Sequence, residues 1–310
     1  MEANQTYPLR ALSIGEIFDR AITIYVRHLV PLTLIVMTLI VPLTFAQGFL
    51  LRDQTQGIAA AIQEIEHPTA NKKAPPTLDF AVIFLIAGVS LLLAPIVNDA
   101  VAVGVASVYS AKAPTYDKSF AAVLPRIFPL IGTTLLEALV MFGAYVGCVL
   151  LLSLILILGI ATVAGSLPFA IVMFVIAGAG ALATLALFAV LFIGFGFATY
   201  ATVLERQGPG AAVGGAFRRL FNRNELRKVL LMGLASLALN VGVVMLSGTV
   251  SLVIELVVKN QAIDLGVNAV ISSMSTAFLT VLLAVYYYDV RTRSEGLDLE
   301  VDLARLTAAS

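Results

Sequence analysis

Several carboxylates of this chain fall inside long apolar runs or at their ends: Asp99 beside Asn98, Glu137, Glu205, Glu255 and Asp289. A charged side chain at the middle of a membrane helix costs about 2.5–3.5 kcal/mol on insertion scales, so each acid needs a partner or a task. The chemistry open to an unpaired one is to hold and release a proton, or to bind a cation. Asp99 lies about ten residues before the end of one run and Glu137 about ten after the start of the next. At ~1.5 Å per helical residue, both sit ~15 Å deep from the same side.

Asp99 shares a helical face with Gly88, Pro95, Ala102 and Ala106, and Glu137 shares one with Met141, Ala144 and Cys148. Such mostly small stripes suit helix contact, so both carboxyls are expected to point into a bundle. Two readings follow. Asp99, Asn98 and Glu137 form a buried polar site for a proton or cation, or they are structural. In the second case Asn98 and Asp99 cap a half-helix restarted after Pro95, and Glu137 hydrogen-bonds a neighbour. For Glu205 and Asp289, pairing with nearby arginines such as Arg206 and Arg291 is the expectation. Glu255 lies one turn from Lys259 and is expected to pair in the same way. Asn240 and Asn268 are expected to bond between helices.

No residue set points to catalysis. There is no glycine-rich phosphate loop, no HExxH, and no histidine spaced with a serine or acid for nucleophilic work. His28 and His67 are far apart, and the single cysteine, Cys148, lies in an apolar run, so no metal site, disulfide or cofactor is implied. A second set of interest is basic: Arg218, Arg219, Arg223, Arg227 and Lys228, a candidate face for anionic lipid or a protein partner. The segment from Glu205 to Lys228 carries six bases and two acids, and each well-placed base near a headgroup layer contributes about 1 kcal/mol. The formal net charge of the whole chain is zero, which argues against nucleic acid as a partner.

The elements that must position these groups are apolar to an unusual degree. Of 310 residues, 60% are hydrophobic and 12% charged, against roughly 25% charged in soluble domains. The apolar residues gather into six runs, at about 29–51, 79–108, 127–158, 168–204, 229–258 and 266–288. Each is long enough to cross a hydrocarbon core of about 30 Å as a helix. The expectation is an all-α, polytopic membrane helix bundle forming a single domain. The third and fourth runs are longer than a perpendicular span needs, which predicts tilt or a break; a hairpin at 159–166 joins them. Gly143 with Gly147, and Gly178 with Gly180, read as close helix packing.

Of the 19 lysines and arginines, Arg52, Lys72, Lys73 and Lys259 fall on one side of the spans and all the others fall on the opposite side. By the positive-inside rule both termini are then cytoplasmic. Residues 1–27 are polar and amphipathic, so no cleavable leader is expected. The loop 52–78 is the one sizeable external piece; its Ile58, Ile62 and Ile65 suit one face of a short helix.

The stretches before the odd-numbered runs are amphipathic. In residues 13–27, Ile14, Ile17, Phe18, Ala21, Ile24 and Tyr25 share a face, and Ser13 with Glu16 has capping-box spacing. Phe120, Val123, Leu124 and Ile127 form a second such face, and Val213, Phe217, Leu220 and Phe221 a third. Three amphipathic elbow helices on the cytoplasmic side, lying in the headgroup layer, are expected. Residues 19–32 align without gaps on residues 117–130, with an aspartate and a base at the start and Pro-Leu at the end; a third copy at 216–231 is weaker. Three parallel repeats are implied, at about 12–108, 114–204 and 210–290, each an elbow followed by an outgoing and a returning span.

The end of the sixth run reads Tyr286-Tyr287-Tyr288-Asp289-Val290-Arg291-Thr292-Arg293-Ser294-Glu295-Gly296-Leu297-Asp298-Leu299-Glu300. It resembles the ending of bacterial membrane proteins grouped with the glycerophosphoryl diester phosphodiesterase membrane-domain family. The opening from Leu12 to Ala21, Val203-Leu204-Glu205 and Phe217-Arg218-Arg219-Leu220 resemble that family too. In the family the phosphodiester chemistry belongs to a separate barrel, and the residues here do not include one. The resemblance therefore implies a membrane region and no phosphodiesterase activity. The tail, 289–310, is expected to be a membrane-proximal clamp. Tyr286, Tyr287 and Tyr288 would sit at headgroup level, with Arg291 and Arg293 meeting lipid phosphates or the nearby acids. The leading expectation is a non-enzymatic membrane protein that organises partners or lipids. The alternative is a transporter or channel for a proton, ion, small solute or lipid, working through the buried acids.

Overall fold

The computed structural model describes residue 7 and residues 10–50, 80–162, 165–221 and 225–296. The external loop 52–78, Arg223 and the tail beyond Gly296 lie outside the described residues. Among those described, the chain is all helical: α1 (Ile14–Arg27), α2 (Leu29–Leu50), α3 (Phe80–Tyr109), α4 (Tyr116–Val123), a 3-10 turn (Leu124–Arg126), α5 (Ile127–Thr162), α6 (Leu167–Leu204), α7 (Pro209–Leu220), α8 (Leu226–Val257) and α9 (Gln261–Glu295). Six of these, α2, α3, α5, α6, α8 and α9, are long and apolar enough to cross a membrane.

Local chemistry accounts for the ends. The Ser13 hydroxyl accepts from the Glu16 amide at 3.3 Å, and the Ser13 amide donates to the Glu16 carboxylate at 2.7 Å, so the capping box expected from the sequence starts α1. The bond from the Ser13 amide, and then the one from Arg10, hold the Glu16 carboxyl down at about 2. At the other end of the chain, Asn260 caps α9 by accepting from the amides of Ala262 and Ile263. Gly296, at φ 65°, closes α9 in the left-handed conformation that glycine adopts without steric cost.

The long third and fourth runs form helices α5 and α6, unbroken for 36 and 38 residues, so of the tilt or break expected there no break occurs. One expectation about the spans is corrected. Helix α3 passes through Pro95 without restarting, so Asn98 and Asp99 are not cap residues. The last span is also longer than hydropathy suggested, because its charged end stays helical: Arg291 bonds Glu295 at 2.8 Å and Arg293 bonds Asp289 at 3.2 Å, both one turn apart.

The packed core occupies the half of the spans nearest the short helices. In α6 it runs mainly from Ala189 to Val203, in α9 from Ala277 to Thr292, and in α2 from Leu32 to Val36. Helix α9 is the hub, packing on α2, α1, α8 and α3. Phe197 sits between Tyr286 and Tyr287, with ring centroids 5.4 and 5.2 Å away. Both tyrosines are wholly buried, so they belong to the core and not to a headgroup belt. Towards the far ends, α5 and α6 show Leu150, Leu151, Leu154, Ile157, Phe169 and Val175 outward, a surface suited to lipid.

The apolar faces of the short helices are used by protein. Ile17, Ala21, Ile24 and Tyr25 of α1 are buried, as are Ala212, Ala216 and Leu220 of α7. Close backbone approach occurs at glycines other than those anticipated. A Cβ on Gly233 would lie 2.9 Å from the Ala189 carbonyl oxygen, and one on Gly194 would lie 2.7 Å from the Phe217 ring. Gly143, Gly147 and Gly178 have nothing within 4 Å of such a Cβ, and only Gly180, against Leu152, is tight.

Candidate functional site

Two groups of buried acids stand apart in the bundle. The first lies where α1, α6, α7, α8 and α9 meet. Asp289 has a fully buried side chain and pairs with Lys228 at 2.5 Å and Arg293 at 3.2 Å. It also accepts from the Leu12 amide at 2.5 Å, while the Leu12 carbonyl accepts from Lys228 at 2.7 Å and from Arg293 at 2.5 Å. The residue before the α1 cap is thereby tied to the end of the last span. Arg293 further approaches Glu225 at 3.8 Å.

Beside this knot, Glu205 ends α6 and is gripped by both terminal nitrogens of Arg219, at 2.9 and 2.8 Å. Gln207 donates to it at 2.7 Å, Arg291 stands at 3.3 Å, and the Tyr287 hydroxyl donates to it as well. Arg219 also reaches Glu295 at 2.5 Å. Burial disfavours the Glu205 anion, yet the bonds from Arg219 and Tyr287 and the charges of Arg291 and Arg219 outweigh it. They hold this carboxyl below its ordinary range. Burial opposes the Arg219 cation too, and Glu205 reverses the balance and raises its pKa.

These contacts redistribute the basic residues. Arg219 and Lys228 are spent on internal ion pairs, so they are not part of a face offered to lipid or a partner; Arg218 and Arg227 are exposed. The partner of Glu205 is Arg219 rather than the adjacent Arg206, whose exposed residue has φ 58° and whose carbonyl accepts from Arg126. Of the tail residues, Tyr287, Asp289, Arg291 and Arg293 make the bonds above, and Tyr288 packs on Tyr109 with centroids 4.7 Å apart. Glu255 and Lys259 form no ion pair with each other among the described residues; with Asp264 they border a depression at the opposite end. Asn268 does bond between helices, to Ser251 at 2.7 Å.

The second group is intramembrane by its position along the helices. Asp99 is fully buried and Glu137 is 8% exposed, so both point into the bundle as their faces suggested. They are close enough for their charges to interact. Among the described residues neither Asp99 oxygen has a hydrogen-bond partner, and Oε1 of Glu137 has none. The Thr199 hydroxyl lies beside Asp99 but donates back to the Gly196 carbonyl.

A cavity of about 310 Å³ opens against Glu137. Helix α3 supplies Pro95 and Asn98, α5 supplies Glu137 and Met141, α6 one face from Phe192 through Phe195, Gly196 and Thr199 to Tyr200, α8 Asn240, and α9 Thr276, Leu279, Thr280 and Leu283. The Thr280 hydroxyl donates to the Thr276 carbonyl at 2.8 Å and lies 3.2 Å from Oδ1 of Asn98, and Tyr200 donates to the Thr280 carbonyl at 3.4 Å. Asn240 donates to Ser236 in its own helix, at 3.0 Å, and so faces the cleft instead of bridging helices. Thr199, Tyr200, Thr276 and Thr280 were not singled out by sequence. Threonine in a span ordinarily bonds the preceding turn, and only the i, i+4 spacing of Thr276 and Thr280 hinted at a polar stripe.

Comparison with protein-family models, with curated proteins and with solved structures finds no match for this chain.

Proposed function

We propose that this is a non-enzymatic protein of the bacterial inner membrane, with both termini cytoplasmic, that binds a cation or passes a proton at the Glu137 cleft. The observation that carries the reading is the unpaired carboxyl oxygen of Glu137 on the wall of a cavity, with the wholly unpaired Asp99 behind it. An ionisable group at this depth is costly unless a ligand, a proton or water compensates it. A cation or proton would supply what the protein does not. The inward side follows from the excess of bases beside α1, α4, α7 and the end of α9.

The order short helix, span, span occurs three times in the chain, which supports reading the short helices as elbows of three parallel repeats. The likeness to the glycerophosphoryl diester phosphodiesterase membrane-domain family supports reading the six spans as a membrane region. A second reading, organisation of lipids or partners, keeps support from the exposed Arg218 and Arg227. It loses Arg219 and Lys228, which are internally paired.

The test is flux and labelling in proteoliposomes. Dicyclohexylcarbodiimide, an apolar carboxyl reagent, is expected to modify Glu137, and protons or monovalent cations are expected to move across the bilayer in a way that Glu137→Gln and Asp99→Asn each abolish. Unreactive Glu137 together with fully active variants would make the pair structural. A cysteine at Arg218 should be shielded from impermeant thiol reagents in intact cells and one at Lys259 should react; the reverse would overturn the orientation.

A further inference from the structure

We propose that the ligand of the Glu137 cleft is a lipophilic organic cation, an ammonium- or phosphonium-type head on an apolar body, which enters sideways from the acyl region of the bilayer. This rests on the reading that the cleft takes a cation, and it names the kind.

Charge selects the sign. The described lining contains the Glu137 carboxyl and no base, and Asp99 adds a second acid behind it. An anion would meet two acids and no compensating group.

Size argues against a bare ion. At ~30 Å³ per water in the liquid, a cavity of about 310 Å³ corresponds to roughly ten waters. A metal ion would leave most of that space to be filled, and its ligands would have to converge. Among the described residues no group of three or more His, Cys, Asp or Glu is placed to hold one.

The lining suits an organic body. Phe192, Phe195 and Tyr200 present rings, and Met141, Leu279 and Leu283 present apolar surface. Aromatic faces attract organic cations, and more strongly where water is excluded. Polar groups are Glu137 and the amides and hydroxyls of Asn98, Asn240, Thr199, Tyr200, Thr276 and Thr280. A head with few donors and a greasy remainder matches that division better than a strongly hydrated solute.

The route follows from Phe192. It borders the cleft, is 43% exposed, and lies 12 residues from the end of α6 at Leu204. That is ~18 Å along the helix, at a depth where an exposed ring faces hydrocarbon. The rim of the cleft therefore meets lipid tails, and a ligand dissolved in the bilayer reaches it without crossing water.

The test uses protein in lipid nanodiscs with tetraphenylphosphonium as probe, empty nanodiscs as the partition control, and tetramethylammonium as a hydrophilic cation. Saturable tetraphenylphosphonium binding is expected, weakened at least tenfold by Glu137→Gln. In the wild type the same probe should protect Glu137 from dicyclohexylcarbodiimide, a readout that needs no variant to fold. Tetramethylammonium at equal concentration should do neither. If tetraphenylphosphonium neither binds nor protects while tetramethylammonium, sodium or potassium does protect, the lipophilic ligand is wrong and the cation cleft stands. If no cation protects and Glu137→Gln leaves proton flux intact, both readings fall.

Discussion

Asp289 and Asp99 are both wholly buried aspartates, and the bundle treats them in opposite ways. Around Asp289 the chain gathers Lys228, Arg293 and the Leu12 amide, and the nearby Glu205 has Arg219, Arg291, Gln207 and Tyr287. Around Asp99 it gathers another acid, itself on the wall of a cavity, and a threonine bonded elsewhere. A buried charge whose partners all come from the fold is part of the fold, because removing any one partner strands the rest. A buried acid left without partners contributes nothing of that kind to stability, and its presence calls for a different reason.

The contrast is sharpest in stability, and the largest effect is expected at Lys228. Lys228→Ala leaves the Asp289 carboxylate short of its closest cation and should destabilise the protein by about 3–5 kcal/mol, read as thermal unfolding in detergent. A loss no greater than that of a surface substitution would break the comparison. Next comes Arg219→Lys, which keeps the charge but loses the two-pronged grip on Glu205. A loss of about 1.5–3 kcal/mol is expected, the range for bonds to charged groups, and charge alone would suffice if the variant unfolds like wild type.

Acid should loosen the Glu205 clamp. The Glu205 carboxyl is held below its ordinary value of 4.5 in the fold, so its contribution is complete above that value and is lost as pH falls through the lower folded value. Unfolding temperature should therefore drop as pH is taken below about 4.5, and Glu205→Gln should flatten that part of the profile. An unchanged profile would deny Glu205 its place in the clamp. The smallest effect is expected from Asp99→Asn and Glu137→Gln, within about 1 kcal/mol of wild type, because no partner is stranded. Unfolding on the scale of Lys228→Ala would show that the intramembrane pair is structural after all.

Much of this was legible in residue order because it depends on short-range rules. Hydropathy located six spans to within a few residues at most ends, since twenty apolar residues in a row have one good solution in a bilayer. The spacing of Ser13 and Glu16 foretold the α1 cap, and helical periodicity foretold that Asp99 and Glu137 turn inward. The end of the last span was missed because its helix is carried by ion pairs from Asp289 to Glu295, which hydropathy does not register.

By itself the sequence determined that this chain is all helical, that six of its helices are membrane-length, and that acids lie within and beside them. Which acids are neutralised was decided only by tertiary structure. Lys228 meets Asp289 across 61 residues and Arg219 meets Glu205 across 14, whereas the sequence neighbour Arg206 is exposed and forms no ion pair with Glu205 among the described residues. Tyr286 and Tyr287, plausible in sequence as headgroup anchors, are enclosed by α6 and α9. Nor could local order foretell that five spans leave a cavity at Glu137, because a cavity is what remains between helices after their side chains have packed. The physical reason is common to all three: spans follow from the solvent and from spacing along one helix, whereas pairing and vacancy depend on which helix faces become neighbours.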